Sequence, residues 1–110
     1  YANDCKIKQV WPKKHGYESV RIKRYLPDGK DEFLEHVDVT SHATAKRFLV
    51  LFLYLTDNDE GQTVFPEQNF TSQCKQGNVL IFPPLWPWQH AGRKPIETPK
   101  YIVGSYLHYT

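Results

Sequence analysis

The sequence predicts an all-β domain, a sandwich or jelly roll, and three observations carry that expectation. Aromatic residues make up 15% of the chain, and such residues suit half-buried, pleated surfaces. Turn-forming residues cut the sequence into about seven short extended pieces. No stretch shows the 3.6-residue apolar period of a convincing amphipathic helix.

Val20, Ile22 and Arg24 alternate with their neighbours and read as a first strand, ended by the turn signal Pro27-Asp28-Gly29. Residues 33–39 form a second extended piece. Residues 46–56 hold the apolar run Phe48-Leu49-Val50-Leu51-Phe52-Leu53-Tyr54-Leu55, whose periodicity alone does not separate a buried helix from a buried strand. Its aromatic content and the following turn, Asp57-Asn58-Asp59-Glu60-Gly61, favour a strand covered on both faces. Residues 63–65 follow, then 78–82 after a turn at Gln76-Gly77. Pro83, Pro84 and Pro87 stiffen a loop before a short extended piece at 88–91, and residues 100–109 close the chain as a long strand.

A length of 110 residues bounds the chain to one domain, and a formal charge of +2 points to no class of partner. Lys6, Lys8, Lys13, Lys14, Arg21, Lys23 and Arg24 crowd the start, opposed by Asp4 and Glu18. A solvated edge strand defended by lysines explains them better than a patch for an anionic partner. No base-stacking motif accompanies the charges, so nucleic acid is not expected as a partner. There is no run of 18 apolar residues and no signal-peptide pattern. A soluble protein with no membrane partner is therefore expected, cytoplasmic or, as the alternative left open, in a secretory compartment. The start at Tyr1 and the lack of Met fit a piece cropped from a longer chain. Cys5 and Cys74 suit either one disulfide or two free thiols, and their spacing does not decide.

The sharpest chemical signal is His36-Val37-Asp38. Residues two apart on a strand share a face, so this His and Asp can touch one metal ion without bending the backbone. Two ligands hold a metal poorly, and His90, behind the Pro/Trp-rich loop, has the best setting for a third. Two His and one carboxylate on one side of an ion form the facial triad of non-haem Fe(II) oxygenases. His-x-Asp also arises by chance, and a lone His on an apolar face is more often a satisfied core residue. Lys100 opens an otherwise apolar strand, where parity puts Lys100, Ile102, Gly104 and Tyr106 on one face. If that face lines a barrel, the ammonium needs an anion such as a dicarboxylate. Otherwise Lys100 begins the strand in solvent.

An ordered set of short pieces resembles the prolyl-4-hydroxylase-like 2-oxoglutarate/Fe(II) oxygenases. From about Arg21 to Tyr109 these are Arg24-Tyr25 before a Gly-containing turn, His36-Val37-Asp38, Arg47, Tyr54-Leu55, Gly61-Gln62-Thr63-Val64-Phe65-Pro66, Gly77 before Val79-Leu80-Ile81-Phe82, His90, and Lys100-Tyr101. The resemblance implies a double-stranded β-helix, a distorted, cupin-like jelly roll, here without the N-terminal helices that brace the larger sheet. It implies His36, Asp38 and His90 as catalytic iron ligands, and Lys100 as the partner of the distal carboxylate of 2-oxoglutarate. Tyr54 matches a tyrosine that bonds the same carboxylate, and Tyr25 another near the cosubstrate. Plain core packing competes for both tyrosines. Arg47 is expected to be structural, opening the strand that carries Tyr54. Gln62 replaces the second Gly of the usual pair. The stretch Phe82-Pro83-Pro84-Leu85-Trp86-Pro87-Trp88-Gln89-His90 is closer to small phage-like and bacterial members than to the animal collagen enzymes.

The implied reaction is hydroxylation of an unactivated C–H, a peptidyl proline being the family-based guess. Fe(II), 2-oxoglutarate, O2 and ascorbate are the implied cofactors and cosubstrates, with succinate and carbon dioxide as coproducts. Two alternatives stay open. One is an inactive jelly-roll binding module. The other is a zinc hydrolase on the same ligands, which needs a nearby general base that Glu35, on the face opposite His36, does not supply. Trp86 and Trp88 suit either a wall of a substrate groove or the core.

Overall fold

The computed structural model describes residue 4 and residues 6–110. Nine strands run through the described residues: β1 (His15–Tyr17), β2 (Arg21–Tyr25), β3 (Phe33–His36), β4 (Arg47–Tyr54), β5 (Thr63–Phe65), β6 (Phe70–Thr71), β7 (Val79–Phe82), β8 (His90–Gly92) and β9 (Lys100–Tyr109). Every pairing is antiparallel. The only helical pieces among the described residues are single 3-10 turns at His42–Thr44 and Trp86–Trp88. The all-β double-stranded β-helix expected from the sequence is the fold.

The length of β9 organises the larger sheet. One of its edges takes β2 along its first half and β1 along its end, while β4 lies along the other edge and carries β7 beyond it. The smaller sheet runs β3-β8-β5-β6. Between the sheets lie two clusters of buried side chains. Val50, Phe65 and Phe82 form one, with Trp88 packed against it. Tyr25, Tyr54, Cys74 and Ile102 form the other. Gly104 leaves room for the Phe52 ring of the neighbouring strand β4, because a Cβ there would meet that ring at 2.8 Å.

Several expectations change at the level of local structure. The run at 48–55 is a strand as far as Tyr54, and its outer side is closed off only at Leu49. Leu49 and Val50 are closed off, whereas Leu51 and Leu53 line an open, shallow depression with Val20, Val79 and Val103 on the outer face. The second strand stops at His36 and does not reach Val39. The Asp38 and Val39 amides instead donate to the Pro84 carbonyl. The short extended piece begins at His90, because Pro87 sits inside the preceding 3-10 turn. Strands β1 and β6 have two or three residues, too few to show a period in sequence.

The polarity of β2 reverses the usual rule. Val20 and Ile22 are largely exposed, while Lys23 is half-buried and Tyr25 is buried. The apolar residues that mark the strand face outward with Arg24, while Arg21 and Lys23 line a cavity. The solvated-edge reading of the N-terminal charges therefore fails for Lys23, which is half-buried in that cavity, while Arg21 lines the cavity but stays exposed. Cys74 is a buried free thiol whose Sγ lies 3.4 Å from Asn58 Oδ1. Cys5 lies outside the described residues.

Val50 has no exposed surface at the centre of its cluster. Cutting it to Ala should cost about 2 kcal/mol of transfer and cavity energy. For a domain of this size that is a fall in Tm of roughly 10 °C, which thermal unfolding followed by circular dichroism would record.

Candidate metal centre and oxo-acid recess

The end of β3, the turn after it and the start of β8 bring three side chains together. His36 pairs with His90 across the β3–β8 ladder, and their rings are 4.3 Å apart. Asp38 reaches the same point from the turn, fixed by the two amide bonds to Pro84. The expectation that His36 and Asp38 share a strand face is thus corrected, although the ligating atoms still converge. Asp38 Oδ1 is 3.5 Å from His36 Nε2, Asp38 Oδ2 is 3.4 Å from His90 Nε2, and one ligand atom from each residue lies within 4.8 Å of the others.

Hydrogen bonds elsewhere on the rings set the tautomers. His36 Nδ1 donates to the Leu34 carbonyl at 2.7 Å, and His90 Nδ1 donates to the Trp88 carbonyl at 3.0 Å. In the neutral imidazole form that can ligate a metal, each Nε2 presents a lone pair toward the Asp38 carboxylate. Asp38 Oδ2 and His90 Nε2 are buried without any hydrogen-bond partner. Lone pairs facing a carboxylate repel unless a cation stands between them, so the residues fit a divalent metal. Outer bonds that fix the ring tautomer are the usual support of such ligands. Burial holds the His90 imidazole below its ordinary pKa and therefore neutral. Burial pushes the Asp38 carboxyl up, but contacts with His36 and His90, which attract the carboxylate when a proton stands in for the metal, and the Tyr106 hydrogen bond outweigh it and leave the group below its ordinary value.

A brace that the sequence reading missed stands behind Asp38. The Tyr106 hydroxyl donates to Asp38 Oδ1 at 2.8 Å. Arg47 Nη1 donates to the Asp38 carbonyl at 3.0 Å, and its Nε and Nη2 grip both oxygens of Glu18 at 2.7 and 3.0 Å. The guanidinium also lies 3.9 Å from the centre of the Tyr106 ring. Arg47 opens β4 as expected, and it serves the metal ligand as well. Strand parity had already placed Tyr106 on the face of Lys100, which was the available signal. Nothing in the sequence linked either residue to Asp38.

A recess runs inward from the ligands, lined by His36, Asp38, His90, Tyr25, Thr63 and Lys100 among others. Lys100 is 2% exposed, so the solvent alternative is excluded. Its Nζ donates to the Gly61 carbonyl at 2.8 Å and the Arg93 carbonyl at 3.1 Å, and sits 4.3 Å above the Tyr25 ring. No carboxylate of the described residues is in ion-pair range of it, and burial lowers its pKa to about 8. Gly61 has φ +97°, and a Cβ there would lie 3.0 Å from Lys100 Cδ. That glycine is needed both for its backbone and for the lysine's room. Tyr54 is buried behind this wall. Its hydroxyl bonds Thr63 Oγ1 at 2.7 Å and Ser72 Oγ at 2.5 Å, and it is Thr63 that lines the recess.

The recess opens on a cleft of about 320 Å3, lined by Glu18, Arg21, Lys23, Asp38, Arg47 and Tyr106 among others. Trp86 and Trp88 do not line it. Trp86 is 77% exposed and Trp88 packs on the Val50 cluster. His42 also stays out, although Thr40 and Thr44 of the same loop contribute. Glu35 is exposed, and the cleft's two carboxylates, Glu18 and Asp38, are already committed to Arg47 and to the ligand set. The zinc-hydrolase reading therefore finds no free general base.

Burial of the Lys100 ammonium sets a pH dependence. The unfolded chain holds this proton to about pH 10.5 and the ligand-free fold releases it near 8, values about 3 kcal/mol apart. Between them unfolding takes up a proton, so this group's contribution to stability rises with pH. Urea unfolding under chelator should show wild type gaining on Lys100→Met between pH 7.5 and 10. A constant difference would refute the shift.

Comparison with known proteins places this geometry. Residues 20–108 match the 2OG-Fe(II) oxygenase superfamily. No curated protein sequence matches. Among solved structures, the viral collagen prolyl hydroxylase of Paramecium bursaria Chlorella virus-1 with 2OG superposes with a TM-score of 0.81 at 24% identity, over 98% of this chain and 68% of that one. A Pseudomonas putida prolyl-4-hydroxylase gives 0.74 at 16% identity, over 97% of this chain and 61% of that one. A Trichoplax adhaerens prolyl hydroxylase, solved with a hypoxia-inducible-factor peptide fragment, gives 0.70 at 19% identity, over 84% and 44%. The chain spans about two thirds or less of these neighbours' lengths, and at such identities they share its fold. The match over residues 20–108 carries the classification, and the chain belongs to the 2OG-Fe(II) oxygenase superfamily.

Proposed function

We propose that the chain is the catalytic core of an Fe(II)- and 2-oxoglutarate-dependent dioxygenase that hydroxylates an unactivated C–H of a peptide or protein. The observation that carries this reading is a single recess with a cation-seeking ligand set at one end and a buried, carboxylate-free ammonium at the other. A 2-oxo dicarboxylic acid answers both ends. Prolyl residues are the first candidates for the substrate, because several neighbours of the same fold are named as prolyl hydroxylases.

His36, Asp38 and His90 would hold the metal, leaving its remaining positions open to the recess and the cleft. Bound Fe(II) supplies the oxygen chemistry, in which 2-oxoglutarate becomes succinate and carbon dioxide while the C–H is hydroxylated. Lys100 would donate to the distal carboxylate, aided by the Thr63 hydroxyl that Tyr54 orients. Tyr25 floors the recess beneath the ammonium. Phe52 and Ile102 close its sides to water and so strengthen the ion pair. Tyr106 and Arg47 keep Asp38 in one rotamer and ionised. Protons compete with the metal for the two imidazoles and the carboxylate, so iron affinity should fall in acid.

Anaerobic titration of the apo-protein with Fe(II) and 2-oxoglutarate tests the reading. A weak visible charge-transfer band should need both additions and vanish in His90→Ala. Removing one partner of a buried ion pair costs on the order of 3–5 kcal/mol, so Lys100→Met should weaken 2-oxoglutarate binding at least tenfold with the metal retained. A folded protein that gives no band, or a Lys100→Met protein that binds the acid as well as wild type, would remove the assignment.

A further inference from the structure

Two positive charges in the cleft have no use in the scheme above. On the inner face of β2, Tyr25 stands beside Lys100, Lys23 beside Ile102 and Arg21 beside Gly104, the order running from the floor of the recess to the mouth of the cleft. Lys23 lines both spaces, half-buried, with its Nζ 4.9 Å from the centre of the Phe33 ring. Among the described residues no carboxylate is within ion-pair range of Lys23 or Arg21. The third basic residue of the cleft, Arg47, already holds Glu18 with two bonds and the Asp38 carbonyl with a third. The only other carboxylate there, Asp38, belongs to the metal. On the dioxygenase reading, on which this step rests, the distal carboxylate of the cosubstrate is met by Lys100 and its oxo-acid end by the metal. Lys23, which feels Asp38 only from beyond ion-pair distance, and the exposed Arg21 therefore present charge without a direct partner to whatever fills the cleft. Partial burial of an unpaired ammonium is costly, and an incoming carboxylate relieves that cost.

We infer that Lys23, with Arg21 beyond it, forms a subsite for a carboxylate of the primary substrate, so that the substrate is an acidic peptide or protein segment with an Asp or Glu close to the residue that is hydroxylated. Lys23 supplies the nearer charge, and Arg21 at the mouth draws the acidic segment in. This makes β2 a specificity element.

The test uses protein loaded with Zn(II), as a diamagnetic stand-in, and saturating 2-oxoglutarate. The probes are N-acetylglutamate N-methylamide and N-acetylglutamine N-methylamide, alike except for the carboxylate. Amide shifts of residues 21–25 and 40–44 are followed by nuclear magnetic resonance. The glutamate probe should bind at least fivefold more tightly than the glutamine probe. Lys23→Gln should erase the difference, Lys23→Arg should keep it, and 2-oxoglutarate affinity should stay within twofold of wild type in both. Equal binding of the probes, binding of neither, or a preference that survives Lys23→Gln overturns the subsite. Loss of 2-oxoglutarate binding in Lys23→Gln also overturns it, because the carboxylate met by Lys23 would then be the cosubstrate's own. Failure of the wild type itself to bind 2-oxoglutarate is a separate result, which removes the dioxygenase reading and this inference with it.

Discussion

A buried ammonium that finds only carbonyls constrains much of this structure. Lys100 begins β9, the strand on which β1, β2 and β4 all pair, and its Nζ reaches Gly61 and Arg93 across the recess. Two neutral acceptors satisfy the geometry of hydrogen bonding but not the charge, and burial therefore pulls the pKa down to about 8. A fold of 110 residues has little stability to spare, so keeping an unpaired lysine there makes sense if a ligand completes it. The surroundings are built for the lysine and not for a generic side chain. Gly61 gives way to its stem, the Tyr25 ring lies under the ammonium, and Gly92 leaves room near Nζ.

The same logic of incompleteness holds at the other end of the recess. Asp38 is oriented by Tyr106 and by Arg47, and each imidazole is tied at Nδ1 to a carbonyl two residues earlier. Every outer contact is satisfied, and the atoms that face inward are the ones left over. Aromatic rings add stiffness. The His90 ring lies 4.7 Å from that of Phe82 and 5.4 Å from that of Phe65, which ties the ligand to the core between the sheets. Rigid support of the ligands spares a metal the cost of organising them.

Much of this was legible in the sequence, and the failures have a common cause. The long closing strand at residues 100–109, the strand inside the run at 48–55, the His36/Asp38/His90 set and the inward parity of Lys100 all follow from local pattern or from short motifs. What local pattern does not contain is the partner on another strand. Glu18 and Arg47 are 29 positions apart, and Asp38 and Tyr106 are 68 apart. Thr63 looked like an ordinary strand residue until the Tyr54 hydroxyl was seen to end on it. Asp38 was assigned to a strand because i and i+2 spacing on a strand is the simplest way to aim two side chains together. The Pro84 carbonyl achieves the same aim from outside the strand.

The error at β2 shows how a functional cavity rewrites the binary code. Alternation is normally read by placing apolar residues inward, which would bury Val20 and Ile22 and expose Arg21 and Lys23. In the fold Val20 and Ile22 are exposed, Lys23 is half-buried and Arg21, though exposed, lines the cleft, since the inward face of β2 meets a polar cavity. The period of two is retained and only its phase is inverted, because a strand specifies alternation but not which face is wet. Basic residues that follow the period of a strand whose apolar face is open are thus themselves a signal. They mark a wall that was shaped for a charged occupant, and here that wall leads from Arg21 past Lys23 to the buried Lys100.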